Sequence, residues 1–122
     1  MNIDANNNKP LFIQIREGIE TAILTGVYKE GSQLPSTTEL SLAYAINPAT
    51  ALKGINILVD KGIIFKKRGI GMFVKEGAIK ALQEERQKAF KINFIIPMVS
   101  EAKKLGISQE QIIRLIREEK SE

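Results

Sequence analysis

A chain of 122 residues, 43% hydrophobic and 26% charged, has the makeup of an ordinary globular protein and can bury one modest core. It contains neither cysteine nor histidine, which excludes a disulfide framework, a Cys/His zinc site and any Cys- or Ser–His nucleophile. The net charge is +4: nine Lys/Arg face six Asp/Glu up to Lys75, and nine face eight beyond it, so the basic excess lies in the first part and permits attraction to polyphosphate without establishing it.

Residues 1–10 are polar and Asn-rich, with none of the basic and apolar regions of a signal peptide, so a cytoplasmic location is expected. No apolar run approaches the roughly 20 residues of a membrane span. Pro10 then opens a helical pattern, and Leu11, Phe12, Ile15, Ile19, Ala22 and Ile23 recur at three- and four-residue spacing until Gly26 stops it. After a turn at Lys29-Glu30-Gly31-Ser32, Ser36 and Glu39 make a capping box for a short helix to about Tyr44, burying Leu40 and Ala43. Asn47 as N-cap and Pro48 at the first helical position start a third helix. It carries Ala51, Ile55, Leu58 and Val59 inward and ends near Gly62. Two short helices joined by a tight turn form a helix-turn-helix.

Ile63-Ile64-Phe65 and Met72-Phe73-Val74 read as two strands around the basic, glycine-bearing tip Lys66-Lys67-Arg68-Gly69-Ile70-Gly71. Taken alone, the three cations read as a solvated edge. Directly behind a helix-turn-helix they read as the wing of a winged helix. Beyond Lys75 the pattern is helical, interrupted by Pro97 and closed by Gly106, and Ser108 with Gln111 caps a last helix. Phe90, Ile92, Phe94, Ile95, Ile96, Met98 and Val99 give that stretch more apolar side chains than one inward stripe can bury, and Ile112 and Ile116 lie on the last helix. They predict a homodimer interface, the alternative being an intramolecular cap. The expected fold is therefore mostly α with a small β-hairpin: a winged helix-turn-helix over residues 1–75, then a two-helix dimerisation tail over 76–122.

Pro10-Leu11-Phe12 with Gln14-Ile15, Leu34-Pro35-Ser36, Asn47-Pro48-Ala49-Thr50 and Gly69-Ile70-Gly71-Met72-Phe73-Val74 together resemble the GntR family of transcriptional regulators. The Asn-Pro pair and the segment Glu101-Ala102-Lys103-Lys104-Leu105-Gly106-Ile107-Ser108 resemble its YtrA subfamily, whose members carry a short two-helix dimerisation tail. The resemblance implies DNA contacts at Ser36, Thr37, Thr50 and the Gly69-Ile70-Gly71 wing. It also marks departures: Thr38 stands where the family usually has arginine, Pro48 where many members do, and Ala45 where the interhelical turn usually has glycine.

A recognition helix presents its N-terminal residues to the major groove, here Asn47, Ala49 and Thr50, with Lys53 one turn on. Ser36, Thr37 and Thr38 at the start of the second helix suit phosphate, and Lys66, Lys67 and Arg68 suit the DNA backbone, with Gly69 and Gly71 permitting close approach. Asn47 is spent in part as a cap, and neither Thr50 nor Ala49 is a bidentate reader, so direct readout per half-site is weak. The expected function is a sequence-specific transcriptional regulator, a repressor on a palindromic operator, with double-stranded DNA and a second copy as partners. No cofactor, metal or membrane is implied, and an effector pocket at the dimer interface stays open. The other reading is a winged helix used for protein contacts without specific DNA binding. Catalysis is not expected: the carboxylate pairs Glu84-Glu85 and Glu118-Glu119 sit on solvated helix faces.

Overall fold

Ile15, Ile19 and Ile23 recur every four residues along helix α1 (Leu11–Leu24) and are fully buried, so this one stripe is the axis around which the first half of the chain packs. The computed structural model describes residues 1–120. Its elements run α1, α2 (Thr37–Tyr44), α3 (Pro48–Asp60), β1 (Ile64–Lys67), β2 (Gly71–Val74), α4 (Ala78–Phe90), a π-helical turn (Lys91–Ile95), α5 (Ile96–Lys104) and α6 (Gln109–Glu118). They divide into two compact units, Met1–Glu84 and Glu85–Glu122.

In the first unit α3 lies against α1 at Gly54. A Cβ at that position would stand 2.7 Å from the Phe12 carbonyl oxygen and 3.2 Å from the Ile15 side chain, so only glycine permits the approach. The far end of the pair is held by Glu20, a buried carboxylate on the apolar stripe, which accepts from Arg16 at 2.9 Å and from Lys61 at 2.7 Å. A charge taken from water needs such partners to be tolerated. Gln14 fastens the start of the chain to α1: its Oε1 accepts from the Asp4 N–H at 2.7 Å, and its Nε2 donates to the Asp4 and Lys9 carbonyls at 2.8 and 2.9 Å.

The turn between α2 and α3 departs from expectation in its chemistry. Leu40 is buried as predicted, but Ala43 is exposed, and Ser41 takes the second inward position. Its hydroxyl donates to the Ile46 carbonyl at 2.6 Å, which spans the turn and satisfies the polar atom inside. The turn itself needs a left-handed residue, supplied by Ala45 at φ 51°, ψ 47°, the one non-glycine residue with positive φ among the described residues. An L-residue there costs roughly 1–2 kcal/mol.

The strands also extend further than the composition of the tip suggests. Lys66 and Lys67 belong to β1, and the antiparallel register pairs Ile64 with Val74, Phe65 with Phe73, Lys66 with Met72 and Lys67 with Gly71, leaving Arg68, Gly69 and Ile70 as the tip. The outer edge of β2 is covered by residues 31–34: Gly31 N–H donates to Val74 O, Val74 N–H to Ser32 O, and Leu34 N–H to Met72 O. In sequence this third strip looks like a turn, because a few residues behind a glycine carry no alternating pattern.

Composition changes after Lys75, yet the first unit runs on to Glu84. Ala78 and Leu82 of α4 are buried with the Ile15–Ile19–Ile23 core, and Ile79 packs on it. Pro97 does not end the helical run. The residues before it form the π turn, in which Ile96 N–H reaches back five residues to Lys91 O, and α5 follows directly. In the second unit α5 closes at Gly106, where Ile107 N–H bonds Ala102 O and Gly106 N–H bonds Lys103 O, and Ser108 with Gln111 forms the capping box of α6.

Two substitutions test this packing with opposite signs. Gly54→Ala forces α1 and α3 apart and should lower stability by about 1–3 kcal/mol, whereas Ala45→Gly relieves the left-handed turn and should raise it by up to about 1 kcal/mol. Thermal or urea unfolding of the two variants reads both; a neutral Gly54→Ala would contradict the close helix contact.

Candidate nucleic-acid interface

The helix-turn-helix reaches the surface at two helix N-termini. At α2 the Ser36 hydroxyl accepts from Glu39 N–H at 3.0 Å, and Glu39 Oε1 accepts from Ser36 N–H at 3.1 Å. This box fixes the start of the helix, and α2 itself holds no acceptor for the N–H groups of Thr37 and Thr38. Thr38 is exposed and Thr37 half-buried. An open cleft lies beside them, with Ser36, Thr37, Thr38 and Glu39 on one side and Lys66, Lys67, Arg68, Gly69, Ile70 and Gly71 on the other. The α2 and wing residues singled out in the sequence therefore line one concavity. Cations, hydroxyls and helix-terminal N–H groups around an open cleft suit phosphate oxygens.

At α3 the Asn47 Oδ1 accepts from Ala49 N–H at 2.8 Å, so that side chain serves as the helix cap. Ala49 is exposed and Thr50 half-buried at the first turn. Lys53 holds its ammonium 4.0 Å from the centre of the Phe12 ring, which steadies a flexible side chain on the exposed side of the helix. These four form a second group, on α3 and outside the cleft.

The wing is stiffened by contacts that the strand pattern does not announce. Phe65 and Phe73 stack across the strands with ring centres 5.7 Å apart, and Lys67 lies 4.7 Å from the Phe73 ring centre and 5.8 Å from that of Phe65. Lys66 donates to Asn56 Oδ1 at 3.1 Å, tying the wing to α3. Gln33 Nε2 donates to Ile70 O at 3.1 Å and holds the tip. Leu52 and Asn56 share the exposed face of α3 with Ala49 and Lys53. Their three- and four-residue spacing is the signal that the sequence offers for them, and Leu52 adds an apolar surface suited to a thymine methyl.

Among the described residues no three His, Cys, Asp or Glu side chains gather as metal ligands would, and no helix is long and apolar enough to cross a membrane. Away from the cleft, the backbone N–H groups of Gly77 and then Ile79 hold the Glu30 carboxyl below the usual carboxylate range.

Comparison with known proteins agrees with this geometry. Residues 13–74 match the family of bacterial regulatory proteins named gntR. The HTH-type transcriptional repressor YtrA of Bacillus subtilis is 30% identical over 116 residues, covering 95% of this chain and 88% of that protein. A GntR family transcriptional regulator from Listeria monocytogenes superposes with a TM-score of 0.77 at 34% identity, over 94% of this chain and 99% of that one. The DNA-binding domain of AraR in complex with its operator ORE1 matches 60% of this chain and 89% of its own length, with a TM-score of 0.54 and 26% identity. The chain belongs to the GntR family, as a YtrA-like transcriptional regulator with a winged helix-turn-helix for DNA.

Proposed function

We propose that the chain acts in the cytoplasm as a homodimeric repressor that binds a palindromic operator. The observation that carries the reading is the cleft in which the start of α2 meets the basic wing, together with Ala49, Leu52 and Lys53 exposed on α3. Phosphates would lie along Ser36, Thr37, Thr38 and Lys66, Lys67, Arg68, while Ala49, Thr50 and Lys53 face base edges. The relative YtrA is a transcriptional repressor, which supports the same sign of regulation here.

The dimer is supported by the second unit. Phe90, Ile92 and Phe94 are 51%, 67% and 63% exposed, Ile96, Met98, Val99 and Ile116 are exposed as well, and Ile95 and Ile112 are half-buried. Phe90 and Phe94 pair with ring centres 5.5 Å apart and so present one aromatic face. Burying such side chains against a second copy is worth about 1.5–3 kcal/mol each before association costs. A two-fold interface buries the same face twice and repeats the DNA surface at a fixed separation. Residues 1–75 would then bind DNA and residues 76–122 dimerise, with the first turns of α4 serving both by packing into the first unit's core.

Replacing Lys66, Lys67 and Arg68 together by Ala should weaken binding to all duplexes and flatten the salt dependence, by about 0.9 in slope for each phosphate that the variant leaves without its cation. Anisotropy titrations over a salt series check it, and an unchanged slope would remove the wing from the interface. Thr50→Ala should cost about 1 kcal/mol of discrimination at one base position, and Lys53→Ala should weaken specific and random DNA alike. Competition with single-base operator variants separates the two; parental behaviour in both would mean that α3 does not enter the groove. Phe94→Asp should convert a dimer into a monomer in sedimentation velocity, with the first unit still folded. A parent that sediments as a monomer at micromolar concentration would refute the dimer.

A further inference from the structure

The wing tip consists of Arg68, Gly69 and Ile70, and the last of these is a β-branched apolar residue, 64% exposed, directly behind a run of three cations. An apolar group there does nothing for solubility, for which sheet edges carry charge. Its backbone is nonetheless held on both sides. Ile70 N–H donates to Lys67 O at 3.0 Å and closes the turn, while Ile70 O accepts from Gln33 Nε2 at 3.1 Å.

The flanking glycines leave this one group standing clear. Gly69 at φ 77° and Gly71 at φ 145° adopt conformations in which a side chain is strained, and a Cβ on Gly71 would stand 2.5 Å from Gln33 Nε2 and displace it. The tip therefore offers a single apolar side chain, on an anchored backbone, with no bulk on the residue before or after it.

We infer that Ile70 is a specificity-determining residue that enters the minor groove beside the bound half-site and selects A·T over G·C there. The inference rests on the DNA-binding reading above and does not require the dimer. With α3 in the major groove, and the phosphates of one strand in the cleft between the start of α2 and the wing, the tip lies across that strand. The groove on the far side of a strand from the major groove is the minor groove. There A·T and T·A present acceptors alone, whereas G·C adds the guanine 2-amino group. That group projects from the groove floor. An isoleucine is blocked by it, or strips water from a donor that it cannot pair. Over A·T the same side chain fills the groove by apolar contact, as isoleucine does in proteins that bind the minor groove.

Base analogues separate the grooves. Inosine·C keeps the major-groove acceptors of G·C but lacks the 2-amino group, and diaminopurine·T adds that group to A·T. The full chain first selects sites from a random-sequence duplex library. Each A·T pair of a selected site is then replaced in turn by G·C, inosine·C and diaminopurine·T, and binding is followed by anisotropy. At a position flanking the pairs read by α3, G·C and diaminopurine·T should each weaken binding at least about fivefold, the low end of the cost of one wrong pair. Inosine·C should restore it. Ile70→Ala should bind the whole set alike, and Ile70→Val, still branched and apolar, should keep the parental order. Failure of inosine·C to restore binding at any position overturns the inference, as does an Ile70→Ala variant that discriminates like the parent or weakens every duplex equally. A parent that binds no duplex at low salt overturns the DNA-binding reading, and the inference with it.

Discussion

Helix α3 can hold its N-terminal half outward only because its middle is pressed against α1 at Gly54. With no Cβ there, the helix backbones approach until the α3 backbone meets the Phe12 carbonyl, and Ile15, Ile55 and Leu58 close around the contact. Side chains on one face of a packed helix fix the opposite face in space. Ala49, Leu52, Lys53 and Asn56 are thereby held outward as a group. The same contact brings Lys53 over the Phe12 ring, and Glu20 locks the other end through Lys61.

The wing depends on that frame in turn. Ile64, Met72 and Val74 face the core and Lys66 reaches Asn56 of α3, so the hairpin is fastened on its inner side by burial and by one hydrogen bond. Residues 31–34 cover the β2 edge, and Gln33 holds the tip carbonyl of Ile70. A two-stranded hairpin alone is marginal in water, and these supports are what let it hold a cleft open against the start of α2.

Much of this is legible in the sequence because it rests on local rules. The Ser36–Glu39 and Ser108–Gln111 boxes, the Asn47-Pro48 start and the glycine stops at Gly26, Gly62 and Gly106 depend on neighbours a few residues away, and all stand where the spacing puts them. The grouping of Ser36, Thr37 and Thr38 with the wing follows from the family's order of elements. What escapes is non-local. Glu20 reads as a break in an apolar stripe until Lys61 comes beside it, and Ser41 takes the inward place expected of Ala43 because the turn needs a hydroxyl to span it. The strip 31–34, the Gln33 contact and the hydrogen bonds of Gly77 and Ile79 N–H to Glu30 join residues some 37 to 49 positions apart, which no periodicity encodes.

One surface, made of the α2 start, the N-terminal half of α3 and the wing tip, is the proposed meeting place with DNA. Amide shifts of the ¹⁵N-labelled full chain, followed during titration with duplex DNA at low and moderate salt, test it residue by residue. The largest changes are expected at Thr37, Thr38, Ala49, Thr50, Arg68 and Gly69, diminishing as salt rises. Changes confined to residues 85–120, or none at low salt, would contradict it.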